Sequence, residues 1–164
     1  MDEFLAFARR DADSASEVET IDPSDLVGSI VNNYVTRGEP VSIGELETVG
    51  TLQLRPTAIR RALDNLIDNA LNYGNLAEVT VKQHKKSVTI AVEDTGSGIP
   101  ADQRNEALKP FARLDPARNQ NLATGVGLGL SIAADVARAH GGQLRLDSSE
   151  RLGGLKAILI LPVS

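Results

Sequence analysis

Apolar side chains recur every three to four positions in three segments of the chain, and this spacing predicts three amphipathic helices. The first, residues 22–38, opens with an Asp-Pro pair that is typical of a helix start and stops at a glycine. The second covers residues 57–73, and the third covers about residues 128–139 before two glycines. A shorter polar helix is expected around residues 102–108.

Short stretches of alternating apolar and polar residues predict strands between these helices. The predicted strands are residues 41–45, 51–54, 79–81, 88–94, 143–146 and 155–161. The third and fourth flank a basic turn and are expected to pair as an antiparallel hairpin, and the last two form a second hairpin. Such strands with long helices between them predict an α/β fold, a two-layer sandwich in which a mixed β-sheet is covered by helices on one face.

The length of 164 residues corresponds to about one domain. Residues 1–21 begin with apolar positions at helical spacing and become rich in Asp, Ser and Glu, which predicts the end of a helix and a linker before a domain of residues 22–164. The chain has no cysteine and two histidines, which excludes disulfides and thiolate metal sites and leaves too few ligands for a polyhistidine zinc site.

The formal net charge of −5 and the aromatic content of 3% argue against a nucleic-acid partner. The most apolar run, residues 157–163, is far shorter than the roughly 20 residues of a membrane-spanning helix. This chain is therefore not expected to insert in a membrane.

Three asparagines occur in the second helix, although asparagine is a weak helix former. At about 100° per residue, Asn65, Asn69, Asn72 and Tyr73 share one face that borders the apolar stripe. Amide oxygens at the edge of a core can coordinate a hard cation such as Mg²⁺. A solvated helix face that carries asparagine by chance is the equally weighted alternative.

Two glycine-containing segments offer further candidate chemistry. Asp94 ends a predicted strand and is followed by Gly96 and Gly98, which let the backbone approach a ligand, although an ordinary turn has the same composition. Residues 124–131 carry alternate glycines and lead into a helix, so they offer backbone N–H groups and a positive helix end to a polyphosphate. Their spacing matches neither a Walker P-loop nor a dinucleotide fingerprint, and a flexible linker is the alternative.

Together and in this order, the three motifs resemble the Bergerat-fold nucleotide-binding domain of the gyrase, Hsp90, histidine kinase and MutL superfamily. More narrowly, residues 22–163 resemble the catalytic, ATP-binding domain of bacterial sensor histidine kinases and are most similar to EnvZ-type kinases. The segment Pro110-Phe111-Ala112-Arg113 is similar to the family's phenylalanine box. The family's usual His-Gly-Gly after the last helix is also present, at residues 140–142.

The resemblance implies ATP and Mg²⁺ as cofactors and assigns roles to individual residues. Asn69 would ligate Mg²⁺ with Asn65 beside it near the triphosphate, and these two are the catalytic candidates. Asp94 would accept the adenine amino hydrogen, and residues 111–124 would form a mobile lid. The full implied nucleotide-binding set is Asn65, Asn69, Asn72, Tyr73, Asp94, Gly96, Gly98, Ile99, Phe111, Arg113, Thr124, Gly125, Val126, Gly127, Leu128 and Gly129.

The resemblance also implies donation of the ATP γ-phosphate to a histidine, followed by relay to an aspartate of a response regulator. Neither His84 nor His140 is followed by an acidic residue, so the acceptor is expected on a dimerisation hairpin that is absent from this chain. Both histidines are expected to be structural or solvated. Asn65 stands where gyrase and Hsp90 relatives have a water-activating glutamate, so little turnover is expected from the domain alone.

Further expectations concern the parent protein and the departures from the family pattern. The domain is expected to be cytoplasmic and monomeric alone, within a dimeric parent that can be anchored in the inner membrane. Asn72, Lys109 and Val126 depart from the residues that are frequent in the family. They leave open a nucleotide-free pseudokinase of the same fold. The length of the chain also fits a second alternative of this fold, an anti-sigma-factor-like serine kinase or binding module. Phosphotransfer to an added histidine hairpin and binding of ATP would discriminate among these functions.

Overall fold

The computed structural model describes residues 17–47, 49–108 and 126–163. Four α-helices are formed within these residues: α1 (Pro23–Thr36), α2 (Pro56–Tyr73), α3 (Arg104–Ala107) and α4 (Val126–Ala139). The strands are β1 (Glu19–Ile21), β2 (Val41–Leu46), β3 (Leu52–Leu54), β4 (Ala77–Gln83), β5 (Ser87–Asp94), β6 (Gln143–Ser148) and β7 (Leu155–Pro162). A 3₁₀ turn, Ala101–Gln103, leads into α3.

Five strands form one mixed sheet in the order β2-β4-β5-β7-β6. β2 runs parallel to β4, and all other neighbours are antiparallel. Both predicted hairpins are confirmed, because Val79 pairs with Val92 in the first and Leu146 pairs with Ala157 in the second. The predicted α/β fold with a mixed sheet is confirmed.

A separate two-stranded ladder pairs β1 with β3 in antiparallel register, from Glu19 opposite Leu54 to Ile21 opposite Leu52. β1 was not predicted and lies within the residues assigned to a linker. Its three residues are too few to display the alternation by which a strand is recognised in a sequence.

Helices α1, α2 and α4 cover one face of the sheet. Alternate strand residues such as Val79, Val81 and Ile90 are fully buried there, opposite Ile59 and Leu63 of α2. Burying one such aliphatic side chain contributes about 1.5–3 kcal/mol, so this layer holds the sheet and helices together. The other face carries Thr80, Ala91 and Ile158 in a shallow groove of about 970 Å³ and is not covered by any described helix.

The start of α1 is formed as the Asp-Pro pair predicts. The side chain of Asp22 accepts a hydrogen bond of 2.8 Å from the backbone N–H of Ser24, and Pro23 occupies the first helical turn, where no intrahelical partner is lost. None of the helices in the described parts of the chain has the length and hydrophobicity that crossing a membrane requires.

Candidate functional site

Helix α2 carries the asparagine motif, which consists of Asn65, Asn69, Asn72 and Tyr73, on the face that borders its apolar stripe. Asn69 is only 4% exposed, and no donor among the described residues makes a hydrogen bond to its buried Oδ1 atom. Leaving a buried acceptor without a partner costs about 1–3 kcal/mol, so such an atom points to a ligand. An amide oxygen is a hard donor of the kind that Mg²⁺ prefers, and Asn69 therefore fits a magnesium ligand.

The other asparagine-motif residues are more accessible than Asn69. Asn65 and Tyr73 are partly buried, and Asn72 is exposed. Helix α4, whose first turn includes residues of the glycine-rich segment, packs against α2. The first and third sequence motifs are thus brought to neighbouring helices.

Asp94 ends β5 and is 2% exposed. Its Oδ1 atom accepts two backbone hydrogen bonds, of 2.9 Å from Gly96 and 3.0 Å from Leu155. One carboxylate oxygen therefore joins the turn after β5 to the beginning of β7. The carboxylate is an acceptor only, which is the chemistry needed to receive an amino hydrogen from a ligand.

Gly154 is a site residue that the sequence reasoning missed. A Cβ atom at this position would overlap both Asp94 Oδ1 and the Asp94 carbonyl oxygen, so no other residue type fits without movement. The available signal was the glycine pair at residues 153–154, directly before a predicted strand.

The end of α2 contacts the turn that follows Asp94. A Cβ atom on Gly96 would lie 2.5 Å from the carbonyl oxygen of Tyr73, and one on Gly74 would lie 3.0 Å from the backbone nitrogen of Gly96. The N–H of Asn75 also donates to Thr95 Oγ1 at 2.9 Å. These contacts bring the asparagine motif and the aspartate motif into one site.

The same turn continues through Gly98 and Ile99. Gly98 has a φ of +74°, which favours glycine. A Cβ atom on Gly98 would lie 3.5 Å from the carbonyl group of Gly154. Ile99 is 5% exposed, and its carbonyl accepts a 3.0 Å hydrogen bond from Nε of Arg104. Sequence reasoning did not identify Arg104.

Helix α4 begins at Val126, two residues earlier than predicted. Gly127, which was predicted to precede the helix, therefore belongs to its first turn together with Gly129, and this corrects the predicted boundary. Glycine at alternate positions suggested a loop, but the helix here extends back through them. The first N–H groups of a helix have no intrahelical acceptor, so this turn still supplies backbone donors.

Part of the predicted site lies outside the described residues. This holds for Phe111, Arg113, Thr124 and Gly125, and for the whole segment 111–124 that was assigned to a lid. For Val126, Leu128 and the two helical glycines, the structure describes the backbone.

His140 links the end of α4 to the beginning of α2. Its Nδ1 lies 2.8 Å from the carbonyl of Val136, and its Nε2 accepts a 3.1 Å hydrogen bond from the N–H of Arg55. Burial lowers the pKa of His140, in agreement with a neutral ring that donates from Nδ1. Gly142 follows, where a Cβ would overlap the carbonyl oxygen of Ile160.

His84 is exposed in the β4–β5 turn, 3.1 Å from Thr89 Oγ1.

A partly buried contact joins α1 to α2. The hydroxyl of Tyr34 lies 2.8 Å from Asp68 Oδ1 and 3.2 Å from Asp64 Oδ1. Burial and these carboxylates raise the pKa of Tyr34, and burial also raises the pKa of Asp64. On a helix with 100° per residue, the two aspartates project about 100° away from Asn65 and Asn69. The contact therefore fixes α2 on a different face from the one that carries the candidate site.

Comparison with known proteins places these features in a family context. Residues 55–164 match the family described as histidine kinase-, DNA gyrase B- and HSP90-like ATPases. The sensor histidine kinase GtrS of Pseudomonas aeruginosa is 35% identical over 153 residues, which cover 93% of this chain and 31% of that protein. This chain spans about a third of the length of the curated relatives it matches.

Two solved structures share the fold over nearly their whole length. The ATP-binding domain of PrrB from Mycobacterium tuberculosis superposes with a TM-score of 0.72 at 26% identity, covering 91% of this chain and 99% of that one. The histidine kinase domain of the Escherichia coli osmosensor EnvZ has a TM-score of 0.67 at 32% identity, covering 89% of each chain.

Proposed function

Because this chain belongs to the family of histidine kinase-, DNA gyrase B- and HSP90-like ATPases, we propose that it is the ATP-binding catalytic domain of a two-component sensor histidine kinase. The observation that carries the proposal is the buried Oδ1 of Asn69, which lacks a described partner on the helix whose end packs against the Asp94 turn. A cation ligand and a base acceptor on adjoining elements match the two ends of a nucleoside triphosphate.

In this proposal the adenine base binds beside the turn after β5. Asp94 accepts the adenine amino hydrogen, and this carboxylate is held in place by the two backbone N–H groups on its Oδ1. Gly96, Gly98 and Ile99 line the base, and Tyr73 flanks it from the end of α2. The close approach of Gly96 to the Tyr73 carbonyl keeps these two walls together.

The triphosphate would lie along the polar border of α2, toward the beginning of α4. Asn65 and Asn72 would approach the phosphates, and the first turn of the 14-residue helix α4 would offer N–H groups at its positive end. Asn69 would be the protein ligand of Mg²⁺. When bound, Mg²⁺ would neutralise charge on the transferring group.

Transfer would move the γ-phosphoryl group from the β-phosphate oxygen of ATP to an imidazole nitrogen, leaving ADP. The acceptor would be a histidine on the dimerisation hairpin of the parent kinase, and an aspartate of a response regulator would receive the group next. His140 is not suited to accept it, because Val136 and Arg55 engage its two ring nitrogens. Asn65 cannot act as a general base, so ATP hydrolysis by the domain alone would be slow. ATP and the response regulator would be met on the cytoplasmic side of a parent anchored in the inner membrane.

Calorimetric titration with a non-hydrolysable ATP analogue, with Mg²⁺ and then with a chelator, tests the proposal. We expect one saturable site whose affinity weakens without Mg²⁺. Asn69→Ala should abolish that Mg²⁺-dependent part, whereas Asn32→Ala, an exposed asparagine of α1, should leave it intact. Absence of binding by folded protein would refute a nucleotide function, and unchanged binding by Asn69→Ala would refute the metal assignment.

A second experiment tests the acceptor. The domain is mixed with ATP labelled in the γ position and the histidine-bearing hairpin of its parent kinase, and the product is treated with acid. An acid-labile phosphoryl group on the hairpin is expected, because phosphohistidine hydrolyses in acid. An acid-stable phosphoserine on a partner protein would instead indicate a serine kinase.

A further inference from the structure

Arg104, the first residue of α3, joins two parts of the chain that are distant in sequence. Its Nε donates to the carbonyl of Ile99 at 3.0 Å, and its Nη2 donates to Ser148 Oγ at 2.8 Å. Its Nη1 also lies 3.8 Å from Asp147 Oδ1, with 21% of the Arg104 side chain exposed. The guanidinium therefore bridges the turn after Asp94 and the end of β6.

The turn that Arg104 holds has little regular structure of its own. Residues 95–100 follow β5 without a helix or strand. The last of them, Pro100, has no backbone N–H to donate. Ile99 follows the positive-φ residue Gly98 and is nearly buried. Its carbonyl is thus fixed by a side chain, at a point five residues after Asp94.

We infer that Arg104 is a positioning residue for base recognition, because it fastens the Gly98–Ile99 backbone to β6 and so fixes where that backbone lies relative to Asp94. This inference rests on the proposed nucleotide function. The rigid guanidinium uses two different nitrogen atoms, Nε for Ile99 and Nη2 for Ser148, whereas a lysine would have to reach both acceptors with one nitrogen. Arg104 acts through Ile99 and need not touch the nucleotide.

A positioning role and a purely structural role predict different binding profiles. If Arg104 shapes the base pocket, its loss should weaken binding of an ATP analogue and narrow the preference over the matching GTP analogue. The ratio of affinities with and without Mg²⁺ should stay constant, because Asn69 is on another element. If Arg104 only supported the fold, both analogues would lose affinity by the same factor.

The test compares Arg104→Ala, Arg104→Lys and Ser148→Ala by calorimetry with both analogues, alongside melting temperatures. Arg138→Ala is the matched control, since it removes an arginine and an exposed ion pair to Asp135 on α4. Arg104→Ala should lose about tenfold in affinity for the ATP analogue, the size expected for one charge-assisted hydrogen bond. Arg104→Lys should lose less, and the control should match the wild type.

Ser148→Ala keeps the bond to Ile99 and the contact with Asp147 but removes the hydrogen bond between Arg104 and β6, so it should show a smaller loss of affinity and a narrowed preference for the ATP analogue. Because Ser148 is exposed, this variant tests the link even where Arg104→Ala fails to fold. An unchanged ATP-to-GTP preference in the folded variants overturns the inference. A wild-type domain that binds neither analogue would instead overturn the proposed nucleotide function on which the inference rests.

Discussion

The neutral ring of His140 should make the stability of this domain depend on pH below neutrality. Burial lowers the pKa of His140 below its ordinary 6.5, and its Nε2 accepts the N–H of Arg55 only while unprotonated. The unfolded chain therefore binds this proton more readily than the native state does. The contribution of His140 to the free energy of unfolding is complete above about pH 6.5. It declines as the pH falls from there towards the lowered native pKa, with a slope of at most about 1.4 kcal/mol per pH unit.

The hydrogen bonds of the His140 ring determine how much stability is lost when the ring is replaced. His140→Phe keeps a planar side chain but removes the acceptor of the Arg55 N–H, while the Val136 carbonyl keeps its hydrogen bond from the backbone N–H of residue 140. An unpaired buried polar group costs about 1–3 kcal/mol, and since His140 is only half-buried we expect the lower end, about 1 kcal/mol. For a chain of this length that corresponds to roughly 2–4 °C in melting temperature.

Thermal unfolding followed by circular dichroism at pH 7.5 and pH 5.5 measures both quantities. The melting temperature of the wild type should be lower at pH 5.5 than at pH 7.5. His140→Phe should have a lower melting temperature than the wild type at pH 7.5 and a smaller difference between the two pH values. The only other histidine provides the control, since His84→Phe changes an exposed turn residue and should retain the wild-type slope. Equal pH slopes for the wild type and His140→Phe would refute the assignment of His140 as a neutral acceptor.

Three further predictions concern the site and its supports. Asp94→Asn keeps an acceptor oxygen for its two backbone donors, so the fold should persist while the preference for an ATP over a GTP analogue drops about tenfold; an unchanged preference would reduce Asp94 to a turn residue. Gly154→Ala should lower the free energy of unfolding, measured with urea, by about 1–3 kcal/mol and remove most of the nucleotide affinity, because its Cβ overlaps Asp94. Gly28→Ala, whose Cβ would have its nearest neighbour at 3.8 Å, should be tolerated. Tyr34→Phe should lose about 1 kcal/mol of stability in the same assay with nucleotide affinity unchanged, and a large loss of affinity would show that α1 controls the site.

Periodicity was sufficient to predict most helices and hairpins because each is a local pattern. The stripe of α2 and the alternation of β4 and β5 report burial within a few residues, and the fold places them accordingly. The parallel pairing of β2 with β4 could not be derived this way, since it depends on residues that are far apart in the chain. β1 escaped notice because it is short and stabilised by a distant partner, β3.

The residues of the candidate site also differ in whether a local sequence pattern could indicate them. Asn69 and Asp94 could be predicted because the three motifs, in this order, resemble a known family, although each motif alone has an ordinary explanation. Gly154 and Arg104 could not. Gly154 is important because of Asp94 Oδ1, an atom of a residue distant in the chain. Arg104 is important because of Ser148 Oγ, which belongs to a residue 44 positions away. A glycine pair and a surface arginine have ordinary explanations until the three-dimensional neighbours are known.

The pairing of β1 with β3 gives the domain a mechanical connection to whatever precedes it. A pull on the chain before Glu19 loads the three residue pairs of this ladder, which resist together when the force runs along the strand. β3 ends at Leu54, two residues before the proline that opens α2, so the load reaches that helix through Arg55, the residue whose N–H donates to His140. Force and torque entering at Glu19 are thereby directed to the base of the helix that carries Asn65 and Asn69.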